Sequence, residues 1–391
     1  MAKRNPHLAQ LKTSYLFPEI AKRKKDFLAS HPDAYLISLG IGDTTEPLPE
    51  IIVNSLSEEA KRLGVRETYR GYGPEQGEFE LRQKIASFLY QDKVEPSEVF
   101  ISDGAKCDIG RLQVLFGSQM KVAVQDPAYP VYVDGSLMQG VSSIKLLPCI
   151  PENNFFPDLK KAEGVDLLYF CSPNNPTGVP ATKAQLKELV SFALENKSLI
   201  IYDTAYAAYI QGSMYPRSIF EIEGAHEVAI ETGSFSKIAG FTGIRLGWTV
   251  VPHALKFEDG SSVHKDWSRV TSTIFNGASN IAQSGGLSLL NNKGWQEVQK
   301  QIDFYKENAS LLKESLQKIG LKVYGGESAP YLWAHFPKKS SWDIFQDLLE
   351  RLHIVATPGI GFGPSGEGFI RFSAFGNRNN ILTAAERLSN F

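Results

Sequence analysis

Short β-branched and apolar runs alternate along the chain with stretches whose apolar residues recur every three or four positions. That alternation is the pattern of a parallel sheet covered by helices. Runs at 99–104, 121–126, 166–171, 199–203 and 244–251 read as strands, several ending in a polar residue and a loop. Open α/β sheets place their ligand groups at such ends. Between two of these runs Thr182 and Gln185 form a capping box, and Leu186, Leu189, Val190, Ala193 and Leu194 supply one apolar helix face. A second helix is predicted from about Glu78 to Tyr90, with Leu81, Ile85 and Leu89 at helical spacing.

The longest periodic stretch is 295–319, where Trp295, Val298, Ile302, Tyr305, Leu312, Leu316 and Ile319 keep one stripe before the capping Gly320. Such a helix would be roughly 37 Å long, enough to bridge two domains. Strand and helix signals follow at 321–323, 331–335, 342–352 and 368–373. The expected organisation is an N-terminal arm with part of a small domain (1–47), a large domain (48–294), and the rest of the small domain with the bridging helix (295–391).

Composition narrows the chemistry. The 391 residues carry a net charge of −2, which offers no electrostatic footprint for nucleic acid or an anionic membrane. Three scattered cysteines form neither a disulfide framework nor a C-x-x-C pair, and no H-E-x-x-H accompanies the seven histidines, so no metal site is expected. No run approaches the length of a membrane span and the N-terminus lacks a signal-peptide core, so a soluble cytoplasmic protein is expected.

Four local patterns stand in order: Ser-Pro-Asn-Asn-Pro-Thr-Gly at 172–178, Tyr-Asp-Thr-Ala-Tyr at 202–206, Ser-Phe-Ser-Lys at 234–237 with Gly-Ile-Arg-Leu-Gly at 243–247, and Gly-Phe-Ile-Arg-Phe-Ser at 368–373. A lysine amine is mostly protonated in water, so a nucleophilic lysine needs desolvation or neighbouring positive charge. Lys237 has Arg245 close by in sequence. Ala105 and Lys106 lie where a strand turns into a helix, whose first N–H groups suit phosphate. The run Gly361-Phe-Gly-Pro-Ser-Gly366 matches a dinucleotide-binding spacing, but a strand pattern follows it where that motif needs a helix.

On these motifs the chain resembles the fold-type I, class I/II aminotransferases over essentially its whole length. The resemblance implies an α/β fold: a large, mostly parallel-sheet domain covered by helices and a smaller α/β domain formed from both chain ends. It implies pyridoxal 5′-phosphate as cofactor, carried by Lys237 as a Schiff base. Asp203 would face the pyridine nitrogen, Tyr206 and Asn175 the phenolic oxygen, and Tyr129 the ring face. Ser234, Arg245, Ala105 and Lys106 would surround the phosphate. Two unit charges 4 Å apart at an effective dielectric near 20 attract by roughly 4 kcal/mol before desolvation, enough for a carboxylate to set the ring's protonation. Arg371 would clamp the substrate α-carboxylate, its planar fork matching both oxygens.

Longer runs narrow the resemblance to the branch acting on LL-diaminopimelate: Ser-Tyr-Leu-Phe-Pro-Glu-Ile at 14–20, the run 38–47 that contains Gly42, Gly-Tyr-Gly-Pro-Glu-Gln-Gly at 71–77, Ser-Asp-Gly-Ala-Lys-Cys-Asp at 102–108 and Phe-Asn-Gly-Ala-Ser-Asn at 275–280. That likeness implies exchange of an amino group between LL-diaminopimelate, or tetrahydrodipicolinate, and 2-oxoglutarate/glutamate, in lysine and cell-wall precursor synthesis. It assigns Glu75 to the distal amine, with Tyr15, Gly42, Tyr72, Lys106, Tyr129, Asn175 and Asn276 among the other substrate contacts. Tyr72, Glu75 and Asn276 would come from the neighbouring subunit of a homodimer, Tyr72 also reaching the neighbour's phosphate. The generic motifs are equally compatible with an aminotransferase for aspartate, alanine or aromatic amino acids, or with a β-lyase on the same fold.

Overall fold

The computed structural model describes residues 2–11 and 16–391. Its larger sheet has seven strands: β1 (Val99–Ser102), β2 (Lys121–Asp126), β3 (Ser143–Pro148), β4 (Leu167–Cys171), β5 (Leu199–Asp203), β6 (Ala229–Ser234) and β7 (Gly247–Val250). They lie in the order β1-β7-β6-β5-β4-β2-β3. Only β7 runs antiparallel to its neighbours.

Each central strand is buried on both faces, and alternate residues enter different cores. In β4, Leu168 and Phe170 pack with Leu186, Leu189 and Val190 of the helix Lys183–Asn196. Leu167, Tyr169 and Cys171 instead pack with Ile109, Leu112 and Phe116 of the helix Ala105–Phe116. The expected capping box is formed: Thr182 Oγ1 accepts from the Gln185 amide at 3.2 Å and Gln185 Oε1 from that of Thr182 at 2.8 Å. Such caps contribute about 1 kcal/mol.

Two strands carry no clear signal in the sequence. Strand β3 lies at the sheet edge and is mostly solvated. Strand β6 is fully buried but reads Ala-Ile-Glu-Thr-Gly-Ser; its Glu231 is accommodated by bonds from Tyr90 Oη (2.8 Å), Ser218 Oγ (2.7 Å) and the Ile219 amide (2.9 Å). The strand expected over 244–251 is shorter. Arg245 has a left-handed backbone, φ +71°, so pairing starts only at Gly247. The helix expected from about Glu78 is α-helical over Phe79–Lys84 and continues as a π turn, Ile85–Leu89.

A second, antiparallel sheet orders the strands Thr357–Pro358, Phe369–Ser373, Tyr331–His335 and Lys322–Gly325. Ile37–Ser38 pairs in parallel with Ile354–Val355, tying an N-terminal segment to this C-terminal unit. The long helix Asn292–Lys318 joins the two cores: Val298, Ile302 and Tyr305 enter the large one, Ala309, Leu312 and Leu316 the small one. Gly320, φ +82°, lies two residues past the helix end. The glycine-rich run 361–366 forms short 3-10 turns leading into Phe369–Ser373, as its sequence context indicates. No helix among the described residues is long and apolar enough to cross a membrane.

Candidate active site

The C-terminal ends of β1, β4, β5 and β6, and the start of the antiparallel β7, meet at one edge of the large sheet. Cys171 and Asp203 end adjacent strands and are register partners. Ser234 ends β6 opposite Gly247. Beside this edge the small sheet brings up Tyr331 and Arg371, and together they enclose a cavity of about 560 Å³, in the size range of small-molecule sites.

Eleven of the sequence-predicted residues line it: Gly42, Ala105, Lys106, Tyr129, Asn175 and Asp203 on some walls, Tyr206, Ser234, Lys237, Arg245 and Arg371 on others. Tyr72, Glu75 and Asn276 are exposed and are not among the lining residues of this chain's own cavity. Tyr15 lies outside the described residues.

Lys237 follows β6 on the single-turn helix Phe235–Ile238, and its Nζ donates to the Gly42 carbonyl. Burial lowers its pKa to about 8; Asp43 opposes that shift, and Arg371 and Arg245 assist it. A neutral amine is thereby available near physiological pH. Asp203 is fully buried at the end of β5, where Oδ2 accepts from Tyr132 Oη at 2.7 Å and Oδ1 from the Ala205 amide at 3.1 Å. Burial raises its pKa, against those two bonds. Among the described residues it has no salt bridge, so it is a buried carboxylate suited to a cationic guest.

Arg371 is the opposite case. It is a guanidinium only 2% exposed, on the strand Phe369–Ser373. Nη1 donates to Asn175 Oδ1 at 2.7 Å and Nη2 to the Gly40 carbonyl at 2.6 Å and Thr357 Oγ1 at 3.5 Å, while among the described residues buried Nε has no hydrogen-bond partner. A buried cation with no carboxylate partner among the described residues and with a spare donor fits an incoming anion.

A second anion site lies at the start of the helix Ala105–Phe116. Gly104, φ +127°, precedes it, and a Cβ there would strike Arg245 Nη2. The missing side chain lets the guanidinium approach the helix N-terminus, where the peptide dipoles are also positive. Arg245 is held by donation to Ser236 Oγ at 3.3 Å and to the Thr242 carbonyl at 3.2 Å. Ser234 Oγ accepts from the Ser236 amide at 3.1 Å. The exposed Lys106 ammonium stands 5.7 Å from the Tyr129 ring centroid.

Two contacts at the centre are absent from the sequence motifs. Tyr132, in the helix Val131–Met138, lies three residues after Tyr129, a proximity that could have flagged it. Tyr331 meets Tyr206, hydroxyl to hydroxyl at 2.7 Å, across two distant chain segments that no local pattern links. Among the described residues no group of three or more His, Cys, Asp or Glu could hold a metal.

An amine of depressed pKa, a buried lone carboxylate and an anion site at a helix start fit one group well, an aldehyde on a cationic ring with a phosphate tail, which leaves Arg371 for a second anion. The family model for aminotransferases of class I and II matches residues 34–388, and the chain belongs to that family. Its fold is the fold-type I α/β architecture, and it is a pyridoxal-phosphate-dependent aminotransferase. It is 55% identical over 399 residues to the LL-diaminopimelate aminotransferase of Protochlamydia amoebophila, covering 99% of this chain and 97% of that protein. It is 53% identical to the chloroplastic LL-diaminopimelate aminotransferase of Arabidopsis thaliana, over 98% of this chain and 86% of that one. The solved L,L-diaminopimelate aminotransferase from Chlamydomonas reinhardtii superposes with a TM-score of 0.96 at 55% identity, covering 100% of this chain and 98% of that one.

Proposed function

We propose that this chain exchanges an amino group between LL-diaminopimelate, or tetrahydrodipicolinate in the reverse direction, and 2-oxoglutarate/glutamate. The observation that carries this reading is identity of 53–55% over nearly the whole chain with proteins named for that substrate. When bound, pyridoxal 5′-phosphate supplies an aldehyde for the substrate amine and an electron-withdrawing ring. Lys237 Nζ would hold that aldehyde until the substrate amine displaces it, and would then move the proton from the substrate α-carbon to the former aldehyde carbon of the cofactor. Asp203, braced by Tyr132, presents its carboxylate to the ring nitrogen. Tyr206 and Asn175 take the phenolic oxygen, and Tyr129 the ring face. Ala105 and Lys106 at the helix start, with Ser234 and Arg245, take the phosphate. Arg371 binds the α-carboxylate of each substrate in turn, beside Gly42.

The distal amino-acid end of diaminopimelate carries both charges and needs an acid and donors together. The proposal assigns it Glu75, Asn276, Tyr72, Tyr15 and Lys106, the first three from the neighbouring subunit of a homodimer. Supporting this, Gly71 and Asn280 are linked by a 3.0 Å hydrogen bond, and Gly277 packs beside Pro74 and Glu75. The two loops thus present one exposed patch, with Tyr72 85% exposed. The proposal also divides the chain at residues 47 and 294, as the sequence pattern suggests, and places the enzyme in the cytoplasm. The Arabidopsis relative is chloroplastic by name. Amino transfer to 2-oxoglutarate is the test, with LL-diaminopimelate compared against aspartate, alanine and aromatic amino acids. A clear preference for diaminopimelate is expected; equal or better turnover of the others ends the substrate claim.

A further inference from the structure

Tyr331 touches more of the site than any motif suggests. It is buried at the start of the strand Tyr331–His335, and its hydroxyl oxygen is 2.7 Å from that of Tyr206. The Arg371 guanidinium lies 4.4 Å from its ring centroid. A Cβ on Gly42, whose carbonyl accepts from Lys237, would strike its hydroxyl. Tyr129 and Cys171 line the same cavity.

A phenol has one proton to give. Burial raises the pKa of both Tyr206 and Tyr331, so each keeps its proton at neutral pH. On the reading above, Tyr206 spends that proton on the cofactor's phenolic oxygen. The contact between the two hydroxyls is then a hydrogen bond only if Tyr331 donates it. We propose that Tyr331 is a positioning residue whose hydroxyl donates to Tyr206, aiming the single Tyr206 proton into the cavity and strengthening it as a donor. Hydrogen bonds in such a chain polarise one another. The link also joins the two sheets, since Tyr331 lies on the strand paired with that of Arg371.

The inference rests on the proposed function, and Tyr331→Phe tests it by removing the hydroxyl while keeping the ring. A stronger Tyr206 donor favours negative charge on the cofactor oxygen and so lowers the pH at which the holoenzyme's visible absorption band changes. Tyr331→Phe is expected to move that midpoint up by about 0.5 to 1 pH unit. In a Tyr206→Phe background the same substitution is expected to add no shift, because the residue acts through Tyr206. An unmoved midpoint, even with a lowered Tm, marks a packing role only and overturns the inference, as does an equal shift in the Tyr206→Phe background. A purified protein whose cofactor label, fixed by borohydride, maps away from Lys237 would instead overturn the function and this inference together.

Discussion

At the scale of single residues, the site is a set of charges held apart with gaps between them. Three acceptors fix Arg371 in place, yet none neutralises it. Arg371→Lys keeps the charge but loses the planar fork and the Asn175 and Gly40 bonds. KM for both the amino donor and 2-oxoglutarate is expected to rise about 10- to 100-fold, the range for a hydrogen bond to a charged group; steady-state kinetics with each substrate checks this. A rise for one substrate alone would show that Arg371 is not the shared α-carboxylate clamp. Lys237 makes a pH prediction. Its pKa is lowered to about 8, so the neutral, nucleophilic form grows as pH rises and saturates above that value. Below pH 8, capture of cofactor by apoenzyme, measured by borohydride trapping at Lys237, is expected to speed up about tenfold per pH unit. A rate that goes on rising about tenfold per pH unit from pH 8 to 10 is the behaviour of an ordinary lysine and contradicts a desolvated amine.

At the scale of elements, the start of the helix Ala105–Phe116 shows what local sequence can and cannot reveal. Ser-Asp-Gly-Ala-Lys marks a strand-to-helix turn, and the structure puts the helix start there. That Arg245 occupies the space over Gly104 is a long-range contact that spacing does not encode. Gly104→Ala meets both a backbone at φ +127° and a Cβ clash with that guanidinium. Cofactor affinity, read by absorbance titration of the apoenzyme, is expected to fall at least about tenfold, the size of a strained or overpacked site. Unchanged affinity would mean that Arg245 does not share its anion with the helix. The same distinction explains the rest of the comparison. Strands with continuous apolar runs, such as β4 and β5, were legible because burial on both faces demands them. Strand β6 was not, because its Glu231, Thr232, Gly233 and Ser234 serve a buried network and the site's edge. Lys237, Asp203 and Arg371 announce themselves through their motifs. Tyr132 and Tyr331 do not, since their importance lies in whom they touch: Asp203 and Tyr206.

At the scale of the whole molecule, one chain assembles the cavity around Lys237 but turns Tyr72, Glu75 and Asn276 outward. If those residues serve the neighbour's cavity, each active site of the dimer draws on both chains, and defects in different chains can compensate. Lys237→Ala removes the amine, and Glu75→Ala is expected to remove the distal contact, so each variant alone should turn over diaminopimelate poorly. Mixed in equal amounts and allowed to exchange subunits, half the dimers carry one chain of each kind. In such a dimer the cavity with an intact Lys237 faces an intact Glu75, while the other cavity lacks both. Restoration to about a quarter of wild-type turnover is therefore expected for a symmetric two-fold assembly. No restoration, after mass spectrometry has confirmed that mixed dimers formed, would place Glu75 in the service of its own chain or of none.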